Sequence, residues 1–313
     1  MISDFLSKNT QESLEEGLRL LNICRPISPS VLQKIREEFQ IEMTYNSNAI
    51  EGNSLTLKET FWVIQEGLTI KEKPLKDHLE AKNHKEALDF LYDLIDSKDK
   101  HIISERLIKE LHQLVVRDSQ RDIAGKYRDG DVIISGSDHK PPSYFELKER
   151  MDELMKWMQK HYKTMHRIEF AALLHHQLAH IHPFWDGNGR TSRLMMNVFI
   201  MQAGYPIAII LKNDRKRYYR VLSLADEGNY KPLCEFIAQA VLRSLHIYIK
   251  RLQPPKDKNA QFISLRELAE NEDIPYSATY LRKMATQGRI EAFKEGRNWL
   301  SSKKAILKYI DSL

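Results

Sequence analysis

The chain has 313 residues, 42% hydrophobic and 29% charged, with a net charge of +5. This is an ordinary soluble globular composition with room for about two domains, and its mild basicity admits an anionic ligand or nucleic acid without demanding either. Two cysteines, Cys24 and Cys234, exclude a disulfide framework and a cysteine-rich zinc site. No apolar run approaches the roughly 20 residues that span a bilayer, so no membrane partner is expected. The start, MISDFLSKNTQESLEEG, lacks the basic and apolar regions of a secretory signal, so the cytosol is the expected compartment.

Taken in chain order, sparse glycine and apolar residues at three- and four-residue spacing predict mostly helices. The stretch Thr44–Asn53, TYNSNAIEGN, reads by itself as a helix end, with Gly52 as the cap and Glu51 facing solvent. Apolar stripes follow at Leu75, Leu79, Ala87, Leu88, Leu91 and Leu94, then at Leu107, Leu111, Leu114 and Val115. Between Gly125 and Pro142, GKYRDGDVIISGSDHKPP, the trio Val132, Ile133 and Ile134 sits between Asp-Gly and Ser-Gly-Ser turn signals. That predicts a short hairpin or flap, with a plain surface connector as the alternative. Another helical stripe runs through Leu147, Met151, Leu154 and Met158.

His176 and His180 then stand four apart in LLHHQLAHIH. The glutamate of a His-Glu-x-x-His motif is missing and no third ligand stands at a standard spacing, so packing or hydrogen bonding is expected rather than zinc. Tyr218 and Tyr219, after the basic run Lys212–Arg217, suggest either contact with a base or ribose or a solvated face. A long helix covering Leu233–Leu252 ends at QPPKDKN, which reads as a linker over 253–261.

The densest signal is His182–Arg193, HPFWDGNGRTSR, directly before the apolar run Leu194–Ile200. Gly187 and Gly189 let the backbone bend and approach a ligand, and Asn188 tolerates a left-handed conformation. A helix following such a loop points free N–H groups and its positive dipole end at an anion, most often phosphate. Arg190 and Arg193, three apart, share a helical face from which both can reach a polyphosphate. Asp186 is a hard carboxylate suited to Mg²⁺, and His182 has a pKa suited to a general base. A phosphate cradle, a metal ligand and a base together could move a phosphorus group from a nucleotide to a hydroxyl. The Walker pattern is absent, so this is no ordinary P-loop.

With every fixed position of His-x-Phe-x-Asp/Glu-Gly-Asn-Gly-Arg-x-x-Arg satisfied, HPFWDGNGRTSR resembles the signature of Fic-domain proteins, and the resemblance extends over roughly residues 40–250. It implies transfer of AMP from ATP to a Ser, Thr or Tyr hydroxyl of a target protein. His182 would then be the base, Asp186 the Mg²⁺ ligand, Gly187, Asn188 and Gly189 the anion hole, and Arg190 a phosphate contact, with Phe184 packed beneath. Val132–Pro142 would be the flap that holds a target segment by β-type pairing. Ser47-x-x-x-Glu51-Gly52 resembles the family's inhibitory helix motif in its N-terminal, class II arrangement. Glu51 would pair with Arg193, the arginine otherwise placed for the γ-phosphate, and so hold the enzyme in check. Proteins of this class often dimerise, although no interface signature is visible in the residues.

From Phe262 onward the pattern changes. Ser264-Leu-Arg-Glu267 has capping-box form, Ser277 caps a helix that stops at Gly288, and Ile290–Leu300 alternates around a Glu-Gly turn. Helix, turn, helix and hairpin is the layout of a winged helix-turn-helix, similar to excisionase-like DNA-binding domains, with Thr279, Tyr280, Arg282 and Lys283 on the recognition helix. The segment from Lys256 carries 11 Lys/Arg against 8 Asp/Glu, which leaves DNA and protein both open as its partner.

The expectation is therefore a mainly α chain. An N-terminal helical region, 1–110, carries the inhibitory helix at about 40–53; a Fic-type core with a hairpin flap spans 111–252; a winged helix spans 262–313. The expected activity is autoinhibited protein adenylylation. Its rivals are removal of AMP, with Glu51 orienting water, and a DNA-binding regulator that senses nucleotide.

Overall fold

The structure, a computed structural model, describes residues 5–97, 103–134, 139–252 and 261–311. In chain order the first ten α-helices are α1 (Lys8–Ile23), α2 (Pro29–Ile50), α3 (Leu57–Gln65), α4 (Leu75–Asp96), α5 (Glu105–Val116), α6 (Leu147–His161), α7 (Arg167–Ile181), α8 (Asn188–Gln202), α9 (Arg215–Asp226) and α10 (Lys231–Leu252). Helix α8 is buried without interruption from Arg190 to Ile200, and α7 is buried around nearly its whole circumference. Helices that lack a solvent face belong at the centre of a bundle. The two pack on each other more extensively than any other pair, with α5, α4 and α2 against α8 and α6 and α10 against α7. One contiguous apolar core joins them, from Leu14 and Leu21 through Phe170, Phe184 and Phe199 to Leu245.

Local sequence explains the helix starts. Ser7, Thr56 and Ser104 each accept a hydrogen bond from a first-turn N–H, and Thr56 with Glu59 completes a capping box. The stripes of α5 and α6 bury Leu107, Leu111 and Val115, and Leu147, Met151, Leu154 and Met158, as expected. The first turns of α4 depart from expectation. Leu75 is 70% exposed, whereas Asp77, His78 and Glu80 are buried. Each has found a partner that overrides the apolar pattern. Asp77 accepts from the backbone and hydroxyl of Ser54, His78 Nε2 accepts from Ile70 N–H, and Glu80 accepts from Asn53.

The C-terminal unit comprises β1 (Phe262–Ser264), α11 (Leu265–Ala269), α12 (Ala278–Thr286), β2 (Ala292–Glu295), β3 (Asn298–Ser302) and α13 (Lys303–Ile310). Its antiparallel sheet has the order β1-β3-β2, with Phe293 opposite Leu300 and Glu295 opposite Asn298 across the turn at Gly296. Ser264 and Glu267 form the expected capping box, and Ser277 caps α12. This unit has its own small core around Leu268, Leu281, Met284, Trp299 and Ile306. It rests on α10, where Gln239 donates to the Ala285 carbonyl at 2.9 Å, His246 packs against Phe262 and Phe293, and Lys294 pairs with Asp214. The expected linker, 253–261, lies outside the described residues except for Gln261. No described helix is long and apolar enough to cross a membrane.

The trio 132–134 carries no strand, and Ile133 is 95% exposed. Among the described residues no strand pairs with it, so the hairpin expected there is corrected, for those residues, to irregular backbone; residues 135–138 lie outside them.

Candidate active site

The loop between α7 and α8 is the candidate site. His182 terminates α7 in the left-handed region, φ 51° and ψ 57°, a conformation that costs an L-residue about 1–2 kcal/mol. Such an outlier persists where the surroundings impose it, and here Arg128 does. Its Nε–H donates to the His182 carbonyl at 2.9 Å, and its backbone N–H donates to the Pro183 carbonyl at 2.9 Å. The same guanidinium donates to Gly130 and Pro142 carbonyls at 2.9 and 2.5 Å, so one buried arginine joins the α7–α8 loop to both limbs of the 130–142 segment.

The loop is braced from below. Phe184 is fully buried, with its ring stacked on His112 at 3.6 Å between centroids. Gly125 N–H donates to His112 Nδ1, which fixes the tautomer, and His112 Nε2–H donates to the Asp186 carbonyl at 3.0 Å. Burial lowers the His112 pKa to about 4, so this brace stays neutral. Asn188 closes the loop by accepting from Phe184 N–H and donating to the Phe184 carbonyl. Gly187 turns into α8 at φ 74°, and a Cβ there would stand 2.8 Å from Val116 Cγ1. Glycine is required at this turn by both conformation and space.

His182 Nδ1–H donates to the Ala179 carbonyl at 3.2 Å, leaving Nε2 as the proton acceptor. Burial lowers the His182 pKa, with Arg128 and His139 adding and Glu51 and the Ala179 bond opposing. The ring is thus held neutral, in the protonation state a base requires. The Asp186 carboxylate lies below its usual range. Its burial acts upward, but Arg190, the Gly187 N–H, Gln120 and Lys76 outweigh it.

Arg190 and Arg193 are not a solvated face. Each is about 1% exposed. Arg190 lies 3.1 Å from Glu80 and 3.3 Å from Asp186. Its Nε and the Nη1 of Arg193 have no hydrogen-bond partner among the described residues. Buried guanidinium donors in want of acceptors, beside the open N-terminus of α8, suit an anionic group. Two histidines beneath them, His84 and His175, are pushed down to about 3, first by burial and then by Arg193. They add no charge of their own.

From the C-terminus of α2, Ser47 accepts from Arg193 Nε at 3.0 Å through its hydroxyl and from Nη2 at 2.8 Å through its carbonyl. Glu51 Oε1 pairs with Arg193 Nη2 at 2.8 Å. The Glu51 carboxylate lies so close over Gly189 that a Cβ there would collide with it. Gly52, at φ 101°, turns the chain out of the helix as expected of a cap.

The expected residues of 182–193 and 47–52 therefore converge on one place. Sequence reasoning missed Arg128, His112, Gln120, Lys76 and Glu80, none of which stands in a motif. Tyr218 is corrected. It is buried beneath Arg193, with its hydroxyl 2.8 Å from His175 Nε2, and offers no face to a nucleotide. Tyr219 is part-exposed, with Arg215 over its ring. His176 and His180 hydrogen-bond as expected, both to Asp226.

Comparison with known proteins agrees with this geometry. Residues 102–200 match the Fic/DOC family. The chain is 36% identical over 225 residues to a protein adenylyltransferase Fic of Nematostella vectensis, covering 72% of this chain and 52% of that protein. A Drosophila melanogaster protein of the same name is 35% identical over 245 residues, 78% of this chain and 49% of the relative, so the chain spans about half the length of these relatives. The solved structure of Fic-1 (residues 134–508) from C. elegans superposes with a TM-score of 0.69 at 29% identity, covering 78% of this chain and 73% of that one. Residues 102–200 thus carry a Fic/DOC domain, and the loop His182–Arg193 lies within it.

Proposed function

We propose that the chain transfers AMP from ATP to a hydroxyl of a protein target and that Glu51 holds this activity in check. The observation that carries the reading is the convergence at α8. A neutral base, the free N–H groups of the helix start and two buried arginines face one place, and one carboxylate, Glu51, already occupies an arginine there. The fold family and the relatives' printed activity support the same chemistry.

The target hydroxyl gives its proton to His182 Nε2 as its oxygen attacks the α-phosphorus of ATP. The bond from that phosphorus to the bridging oxygen breaks, and pyrophosphate leaves. The N–H groups at Gly187–Gly189 and the Arg190 guanidinium stabilise the charge on the phosphoryl oxygens, preorganised by burial. Asp186 fits a Mg²⁺ ligand, being a half-buried ionised carboxylate beside a phosphate-binding helix start. The ion would supply neutralisation of phosphate charge while retaining several waters. The irregular segment 132–134, with Ile133 exposed, leaves backbone groups for an incoming strand to pair with.

Glu51 acts by occupation. While it neutralises Arg193 the γ-phosphate has no cationic partner there, and a carboxylate at Gly189 repels it. Incubation with α-labelled and γ-labelled ATP in parallel tests the transfer. The Glu51→Gly variant should place only the α-label on protein; transfer of the γ-label instead would assign phosphoryl transfer and refute the reading.

The C-terminal unit, in the order helix, helix, hairpin, is taken in the same reading as a winged helix. Thr279, Arg282 and Lys283 are exposed on α12, while Tyr280 reaches back to Tyr309 at 3.4 Å. Retardation of duplex DNA that is lost in Arg282→Glu/Lys283→Glu would assign nucleic acid as its partner, and absence of retardation would assign protein.

A further inference from the structure

One cluster of side chains is left unused by this chemistry. His176 and His180, one turn apart on α7, both donate to the same oxygen, Asp226 Oδ1, at 2.8 Å each. Asp226 is the last residue of α9. His139, from the limb that closes the 130–142 segment, stacks on His180 at 3.8 Å between centroids, and its Nε2–H donates to the His180 carbonyl at 2.8 Å. One ligand atom from each of His139, His180 and Asp226 lies within 4.8 Å of the others.

We propose that His139, His180 and Asp226 bind a divalent transition-metal ion of the zinc type. Two imidazoles and one carboxylate are a donor set for Zn²⁺ rather than for Mg²⁺, which prefers oxygen. Tetrahedral ligand bonds of ~2.0–2.2 Å put donor atoms ~3.4 Å apart, so atoms at the 4.8 Å limit must close by about 1.4 Å. The outer contacts are also those of a metal site. His139 is anchored through Nε2 to the His180 carbonyl, and His176, 5% exposed, hydrogen-bonds the Asp226 carboxylate. His180 and Asp226 line a cleft with Trp157, Gln177 and Tyr230, which gives the ion an entry path and room for a water as fourth ligand. His180 on α7 supplies only one ligand; the other two, His139 and Asp226, come from far along the chain. Bound metal would tie residue 139 to His180, two residues before His182.

The test is titration of the chelator-stripped full chain with Co²⁺ alone, then with Zn²⁺. Stoichiometric binding with tetrahedral visible absorption that Zn²⁺ displaces is expected. His139→Ala and Asp226→Asn should each lower affinity by ~100-fold or more, and His176→Gln by about 10–100-fold. A wild type that binds neither ion overturns the proposal, as does undiminished binding in both ligand variants. Because those variants could misfold, the Co²⁺-shifted imidazole resonances of wild type give a second readout. They should include His139 and His180, and shifts confined to other histidines would overturn it.

Discussion

Replacing Glu51 by glycine frees Arg193, and the contacts set the size of the effect. The pair is 2.8 Å long, with the arginine 1% exposed and the glutamate a third exposed. A charge-assisted hydrogen bond of this kind contributes about 1.5–3 kcal/mol. A γ-phosphate that must displace Glu51 forgoes that amount, whereas one meeting a free Arg193 gains it. At 1.4 kcal/mol per tenfold this is about 10- to 150-fold in affinity. Arg193 keeps both contacts to Ser47, so the fold should lose only about 1–2 kcal/mol. Calorimetric titration with Mg·ATP and with Mg·ADP isolates the term, because only ATP carries the γ-phosphate and no protein target is needed. Wild type should bind the two nearly equally, and Glu51→Gly should favour ATP by about 10- to 150-fold. An unchanged ratio in a folded variant that still binds ADP would refute the reasoning.

Other consequences follow from the same contacts. Gly187→Ala places a Cβ 2.8 Å from Val116 at φ 74°, so thermal unfolding should show a loss of about 1–3 kcal/mol; an unchanged midpoint would contradict the packing. Phe184→Ala empties a fully buried site beneath the loop and should cost about 3–5 kcal/mol by denaturant unfolding. Arg128→Gln removes the clamp on Gly130 and Pro142. Limited proteolysis within 129–142 should quicken by about tenfold or more, and an unchanged cleavage rate would show that the segment is held elsewhere.

What was legible in the sequence was what is local. The residues of 182–193 are contiguous, so their convergence needed no tertiary knowledge, and caps such as Ser264 and Ser277 are decided within a turn. Ser47 and Glu51 meet Arg193 across 146 and 142 positions and were legible only through a family resemblance. Arg128, His112 and Glu80 carry no motif because each works by reaching a backbone carbonyl or a distant charge. The first turns of α4 misled, since Asp77, His78 and Glu80 found buried partners that a hydrophobic stripe cannot encode. The segment 132–134 misled differently. Its β-rich composition calls for a partner strand, and none of the described residues supplies one.

The most direct measurement is incorporation of α-labelled AMP into protein by Glu51→Gly alongside the double variant Glu51→Gly/His182→Ala, at equal ATP occupancy. Label in the single variant that falls to background in the double is the expected result, because the proposed transfer hands the hydroxyl proton to His182 Nε2. Equal label in both would contradict His182 as the base and, with it, the central claim of adenylyl transfer at this loop.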